Sequence, residues 1–143
     1  MQRNTRGFTL IELLIVVVII SILAAIAIVR FATTKQNAYI ATVKSDLRYL
    51  VTAEEGYASN NNGSYMPSNI VTNPTGGGGT PYKNYLPSPG VTVTITLSGF
   101  GWSATAVHAL IPSTGYPGGQ SQCSVYVNTT AVLPATSEGT PSC

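Results

Sequence analysis

Glu12 is the only charged residue in a run that reads FTLIELLIVVVIISILAAIAIV from Phe8 to Val29 and holds no Gly or Pro. A carboxylate set in so apolar a stretch points to charge pairing, because an unpaired ion in an apolar medium is costly and an intramembrane acid is a functional hypothesis by default. The plainer reading is an interfacial carboxylate near a helix N-terminus, where negative charge is favoured. Phe8 stands four residues earlier, so in a helix it shares a face with Glu12. Arg3 and Arg6 supply the basic flank expected on the cytoplasmic side of a membrane segment. The run itself is long enough for a helix to cross a bilayer, which takes about 20 apolar residues.

The other residues of chemical type offer less. His108 is the sole histidine and falls in an alternating run, where a packed or surface imidazole is the expected state. Glu54 and Glu55 are neighbours on a helix pattern, so they point to different faces and form no acid–base dyad. Gly76 to Gly79 lacks the following Lys-Ser/Thr of a phosphate cradle and reads as a flexible loop. The tyrosines, with Phe31, Phe100 and Trp102, read as packing and strand formers rather than an electron path. Asn62-Gly63-Ser64 and Asn128-Thr129-Thr130 match glycosylation acceptor patterns. Cys123 and Cys143 lie beyond the apolar run, in a part expected outside the cytoplasm, and read as a disulfide. The alternative, a metal pair, has no Cys-x-x-Cys and no clustered histidines behind it. No catalytic residue, metal site or cofactor is expected, and the chain reads as a non-enzyme.

The elements that position these residues follow from the pattern. Tyr39, Val43, Leu47, Leu50, Glu54 and Tyr57 recur at spacings of three and four, with Val51 and Ala58 alongside, and only Glu54 interrupts this helical stripe. No Pro occurs between Phe8 and Met66, so one helix is expected from Phe8 to about Ala58, about 75 Å long. Asn60-Asn61-Asn62-Gly63 is its stop. Residues 59–90, rich in Asn, Pro and Gly, read as loop. Val91 to Ser98 alternates, with Val91, Val93, Ile95 and Leu97 on one face and the threonines and Ser98 on the other. Trp102 to Ala109 and Cys123 to Val127 are further strands, and Ala104 and Ala106 leave room for a helix to approach. The tail from Asn128 to Cys143 has no period.

Charge narrows the function classes. Only 8% of residues are charged, and the net charge of +2 comes from Arg3 and Arg6. The remaining five basic residues (Arg30, Lys35, Lys44, Arg48, Lys83) balance the five acids (Glu12, Asp46, Glu54, Glu55, Glu138). A neutral remainder gives no support for binding nucleic acid, and a polar surface of low charge suits dense self-association.

Arg6-Gly7-Phe8-Thr9-Leu10-Ile11-Glu12, followed at once by the apolar helix, resembles the leader junction of type IV prepilins and of the related type II secretion pseudopilins. The resemblance implies cleavage after Gly7 by a prepilin peptidase and N-methylation of Phe8. It also implies that the Glu12 carboxylate meets the Phe8 amine of a neighbouring subunit during assembly. The fold it implies, in agreement with the pattern, is α+β. A long N-terminal helix packs on a small antiparallel sheet of three to four strands, with a C-terminal disulfide loop closed by Cys123 and Cys143. Residues 1–7 are then the cleaved leader, 8–29 the membrane or filament-core helix and 30–143 the head. Within the head, 30–58 continue the helix as an amphipathic segment, 59–90 are the αβ-loop, 91–128 the sheet and 123–143 the disulfide-bounded region.

Many type IV pilins carry a Gly within this helix and a Pro near its end. Here those positions hold Ser21 and Val29, so a continuous helix is expected, bent only mildly where Ser21 bonds a carbonyl one turn back. The implied function is that of a pilus subunit, a homo-oligomer in a helical filament, served by the peptidase/methyltransferase and the pilus assembly machinery. It would be held in the inner membrane before assembly and lie outside the cell afterwards. The alternatives are a type II secretion pseudopilin and a minor or tip pilin acting as a binding module. The cysteine pair and the scarcity of acids near it favour the first reading over the pseudopilin.

Overall fold

The computed structural model describes residues 7–143, so most of the expected leader, with Arg3 and Arg6, lies outside the described residues. The chain divides into two compact units, one ending at Lys35 and one spanning Gln36–Cys143. Helix α1 (Leu10–Asn60) is a single hydrogen-bonded element that contributes to both.

In the first unit the helix follows from the absence of breakers and from the apolar run itself, since a backbone in lipid must satisfy its hydrogen bonds internally. Ser21 fits without interrupting it: its hydroxyl donates to the Val17 carbonyl at 2.7 Å. The helix is unbroken at both Ser21 and Val29, as the absence of Gly and Pro implies. It starts two residues later and ends two residues later than the pattern suggests.

In the second unit α1 buries one stripe. Ile40, Val43, Leu47, Leu50 and Ala58 are all buried, with Tyr39, Val51 and Tyr57 at its margins. The helix stops as expected, through residues in the left-handed region: Asn62 has φ 55° and Gly63 has φ 80°. The Gly63 amide donates back to the Ala58 carbonyl at 2.9 Å, satisfying one of the last orphan acceptors.

The sheet is antiparallel, in the order β1 (Asn69–Thr72), β2 (Val91–Ser98), β3 (Gly101–His108), β4 (Cys123–Val127). Register places Val93 opposite Ala106 and Ile95 opposite Ala104, and these in turn opposite Cys123 and Val125. All six are buried and share one core with the helix stripe, so the fold of this unit is a helix packed on a four-stranded sheet. The small Ala104 and Ala106 sit at the centre of the packed face, where close approach needs them. At Gly101 a Cβ would collide with the carbonyls of Val127 and Asn128, which accounts for glycine at the turn into β3.

Two sequence expectations need correction. Strand β1 lies inside 59–90, which reads as loop; it is four residues between Pro67 and Pro74, with only Val71 buried, too short to show a period. Leu97 shares the inner face with its cross-strand neighbour Trp102, yet it is 41% exposed while Trp102 is fully buried. The face assignment is right, but the core ends before the β2–β3 turn.

Cys123 and Cys143 form a disulfide, closing a loop with a sequence separation of 20. The tail it retains is less irregular than its sequence. Ser124 and Ser142 exchange backbone hydrogen bonds of 2.8 and 3.0 Å, and the Ser124 hydroxyl donates to the Val132 carbonyl at 2.6 Å while accepting the Ala135 amide at 2.9 Å. Leu47, with no exposed surface, stands at the centre of the helix–sheet contact. Leu47→Ala is expected to cost about 2–5 kcal/mol in denaturant unfolding of the micelle-bound chain; a loss under about 1 kcal/mol would place the core elsewhere.

Candidate functional site

The N-terminal segment gathers the residues singled out by sequence. Thr9 sits just outside the helix and Glu12 is its third residue. The Thr9 amide donates to Glu12 Oε2 at 3.0 Å, the Thr9 hydroxyl donates to the same oxygen at 2.8 Å, and the Glu12 amide donates to Thr9 Oγ1 at 3.3 Å. This is a reciprocal capping box, in which a Thr-x-x-Glu spacing satisfies two amides that a helix start leaves orphaned. The spacing is legible in the sequence, where the apolar setting of Glu12 draws attention to pairing with Phe8 instead. Within the single chain the Glu12 carboxylate is therefore engaged by Thr9. Gly7 and Phe8 precede the helix and are exposed, Phe8 at 77%.

From Leu10 to Ile28 the helix surface is apolar and bare. Leu10, Leu14, Ile20, Leu23 and Ile28 are exposed, and the residues between them face outward on every side of the helix. Apolar character all round marks a helix destined for lipid or for a protein core. Among the described residues this is the one helix long and apolar enough to cross a membrane.

The head holds two buried carboxylates that the helical stripe alone does not announce. Asp46 accepts the Ser88 amide and the Ser88 hydroxyl, each at 2.9 Å, and the Tyr85 hydroxyl donates to its backbone carbonyl at 3.3 Å. Burial pushes the Asp46 carboxyl up, opposed by the Ser88 bonds and by His108. Glu54, with no exposed surface, accepts the Met66 amide at 2.8 Å. Desolvation pushes its carboxyl up to about 7, against the Met66 bond and with help from Glu55. Eight residues apart on one helix face, these acids hold the two ends of the segment between α1 and β2. For Glu54 the signal is an acid inside an apolar stripe, which is tolerated only with a local partner; Asp46 stands beside the stripe and has no such signal.

His108 is buried, stacked on Tyr39 with centroids 4.2 Å apart, and its Nδ1 accepts the Leu110 amide at 3.1 Å. It is a packed imidazole, lowered in basicity chiefly by burial. The Glu55 carboxylate accepts the Tyr65 hydroxyl at 3.2 Å, while Glu54 turns inward, so the pair serves two separate contacts.

Comparison with known proteins bears on the same N-terminal segment. The family model described as the prokaryotic N-terminal methylation motif matches residues 2–28. Three relatives are similar over stretches of about 60 residues. The type IV major pilin protein PilA of Myxococcus xanthus is 51% identical over 57 residues, 40% of this chain and 26% of that protein. The type IV wide pilus major component PilA4 of Thermus thermophilus is 44% identical over 61 residues, 43% of this chain and 47% of that protein. The type II secretion system core protein G of Pseudomonas aeruginosa is 35% identical over 60 residues, 42% of each chain. The chain thus spans between about a quarter and a half of the length of the relatives it matches. No solved structure matches it. The resemblance to type IV pilins and secretion pseudopilins read from Arg6 to Glu12 is borne out.

Thr9→Val removes the hydroxyl from the capping box while keeping the shape. Loss of a cap of this kind costs about 1 kcal/mol, so amides from Leu10 to Leu13 should exchange with deuterium several-fold faster in the micelle-bound chain. Unchanged exchange would show that the box contributes nothing to the helix start.

Proposed function

We propose that this chain is a structural subunit of a type IV pilus, polymerising through the N-terminal part of α1 into a cell-surface fibre. The observation that carries the reading is the junction of Gly7-Phe8 with a capped acid and a helix surface left bare from Leu10 to Ile28. A surface of that kind is compatible with water at neither stage, so it needs lipid before assembly and other copies of itself afterwards. Burying it is worth tens of kcal/mol by the usual scale of about 1.5–3 kcal/mol per large apolar side chain. On this reading the chain is a non-enzyme without cofactor, stored in the inner membrane with its head outside the cytoplasm.

Processing follows the same logic. A prepilin peptidase/methyltransferase would cut after Gly7 and methylate the amine so exposed at Phe8. In the fibre, Glu12 would exchange its capping contact with Thr9 for the Phe8 amine of a neighbouring copy, pinning the stagger between helices. Two unpaired charges in an apolar core are so costly that a register joining them is strongly preferred. The similarity to a secretion core protein supports a second reading, a pseudopilin built on the same assembly physics. The Cys123–Cys143 disulfide, with no cluster of acids beside it among the described residues, supports the pilus reading over the pseudopilin.

Glu12→Gln tests the assembly role. It leaves a neighbour's amine without a counter-charge, and breaking a buried pair costs about 3–5 kcal/mol. The expected result is more than about tenfold less fibre on the cell surface, with the subunit still present in the membrane. Fibre at the unmodified level would remove Glu12 from assembly.

A further inference from the structure

The segment between α1 and β2 is held to the helix at both ends by buried carboxylates, and the bonding at the Glu54 end is incomplete. Glu54 Oε2 accepts the Met66 amide, while its Oε1 is buried with no partner. The indole Nε1 of Trp102 is likewise buried and unpartnered. Tyr65, adjacent to Met66, packs on Trp102 with ring centroids 6.4 Å apart, and its hydroxyl reaches Glu55. Two unmet polar atoms therefore flank the same pair of residues, Tyr65 and Met66, where the chain leaves the helix cap. A neutral carboxyl tolerates such a place far better than an ionised one, which needs water or further donors.

We propose that Glu54 is a proton-operated latch on the segment between α1 and β2. Protonated, it keeps Tyr65 and Met66 seated against α1 and Trp102; ionised, it releases that stretch to solvent. The latch lies wholly within the second unit, so it stands whether or not the chain forms a fibre.

The groups in its field act in one direction. Glu55, next to it on α1, opposes its ionisation, and Glu54 in turn opposes ionisation of Tyr65 and Tyr82 from the facing segment. No basic side chain contributes to its titration among the described residues. Burial is the largest influence and carries the carboxyl from 4.5 to about 7. Because the seated form binds the proton more tightly than the released form, the latch is fully closed below pH 4.5 and weakens as pH rises towards 7. Over that window the opening equilibrium grows about tenfold per pH unit, then levels off.

Hydrogen exchange of the Met66 amide, in the full chain held in detergent micelles and corrected for intrinsic rates, reads this directly. Protection should fall about tenfold per unit from pH 4.5 to 7. Over the same range the emission of Trp102, the only tryptophan, should shift to the red. Glu54→Gln keeps the shape and cannot ionise, so it should flatten both responses. Protection that does not vary with pH in the unmodified chain, or an equal slope in Glu54→Gln, would overturn the latch. Should the variant not fold, carboxyl-carbon NMR of the unmodified chain decides: a Glu54 midpoint near 7 supports the latch, and one near 4.5 overturns it.

Discussion

The helix surface from Leu10 to Ile28 is apolar and exposed on every side, and that constraint decides where such a chain can exist. A chain cannot leave so much apolar surface in water, since burying apolar area is the main force in both folding and association. A surface of this kind suits lipid or packing against other apolar helices, and a low charge such as this chain's suits dense packing.

The single acid within that surface is managed rather than tolerated. Thr9 and Glu12 satisfy one another at the helix start, which keeps the carboxylate bonded within the single chain. Two buried acids further along, Asp46 and Glu54, are managed in the same manner, through Ser88 and Met66. In each case a carboxylate on α1 ties down a backbone amide of chain that would otherwise be unsupported. These bonds turn a segment rich in Pro, Gly and Asn into a tethered surface, its ends fixed against the helix.

Much of this was legible in the sequence where a period or a motif carries the information. Val91 to Ile95 announces a half-buried strand by alternation, Tyr39 to Tyr57 announces a helix stripe, and Gly63 stops that helix for a reason of backbone conformation. The disulfide between Cys123 and Cys143 is the expected state if the chain beyond the apolar run lies outside the cytoplasm. What could not be read depends on contacts remote in sequence. Strand β1 exists because Val71 finds Val93 across the sheet, not because its four residues demand it. Leu97 has the right face but stands beyond the reach of the core. Glu54 looked like a flaw in an apolar stripe, and only the return of Met66 beside it explains its burial. In the candidate assembly site the spacing of Gly7, Phe8 and Glu12 is visible in the sequence, and so is the Thr9-x-x-Glu12 spacing, which the apolar setting of Glu12 overshadows.

As a polymerisation surface, the apolar helix would place this chain in an extracellular fibre. Fibres sheared from cells that produce this chain, imaged by electron microscopy and then analysed by mass spectrometry, test it most directly. The expected result is that this chain is a principal component of the fibres and begins at Phe8 with a methylated amine. Fibres that lack the chain, or a chain confined to the membrane fraction and still beginning at Met1, would contradict it.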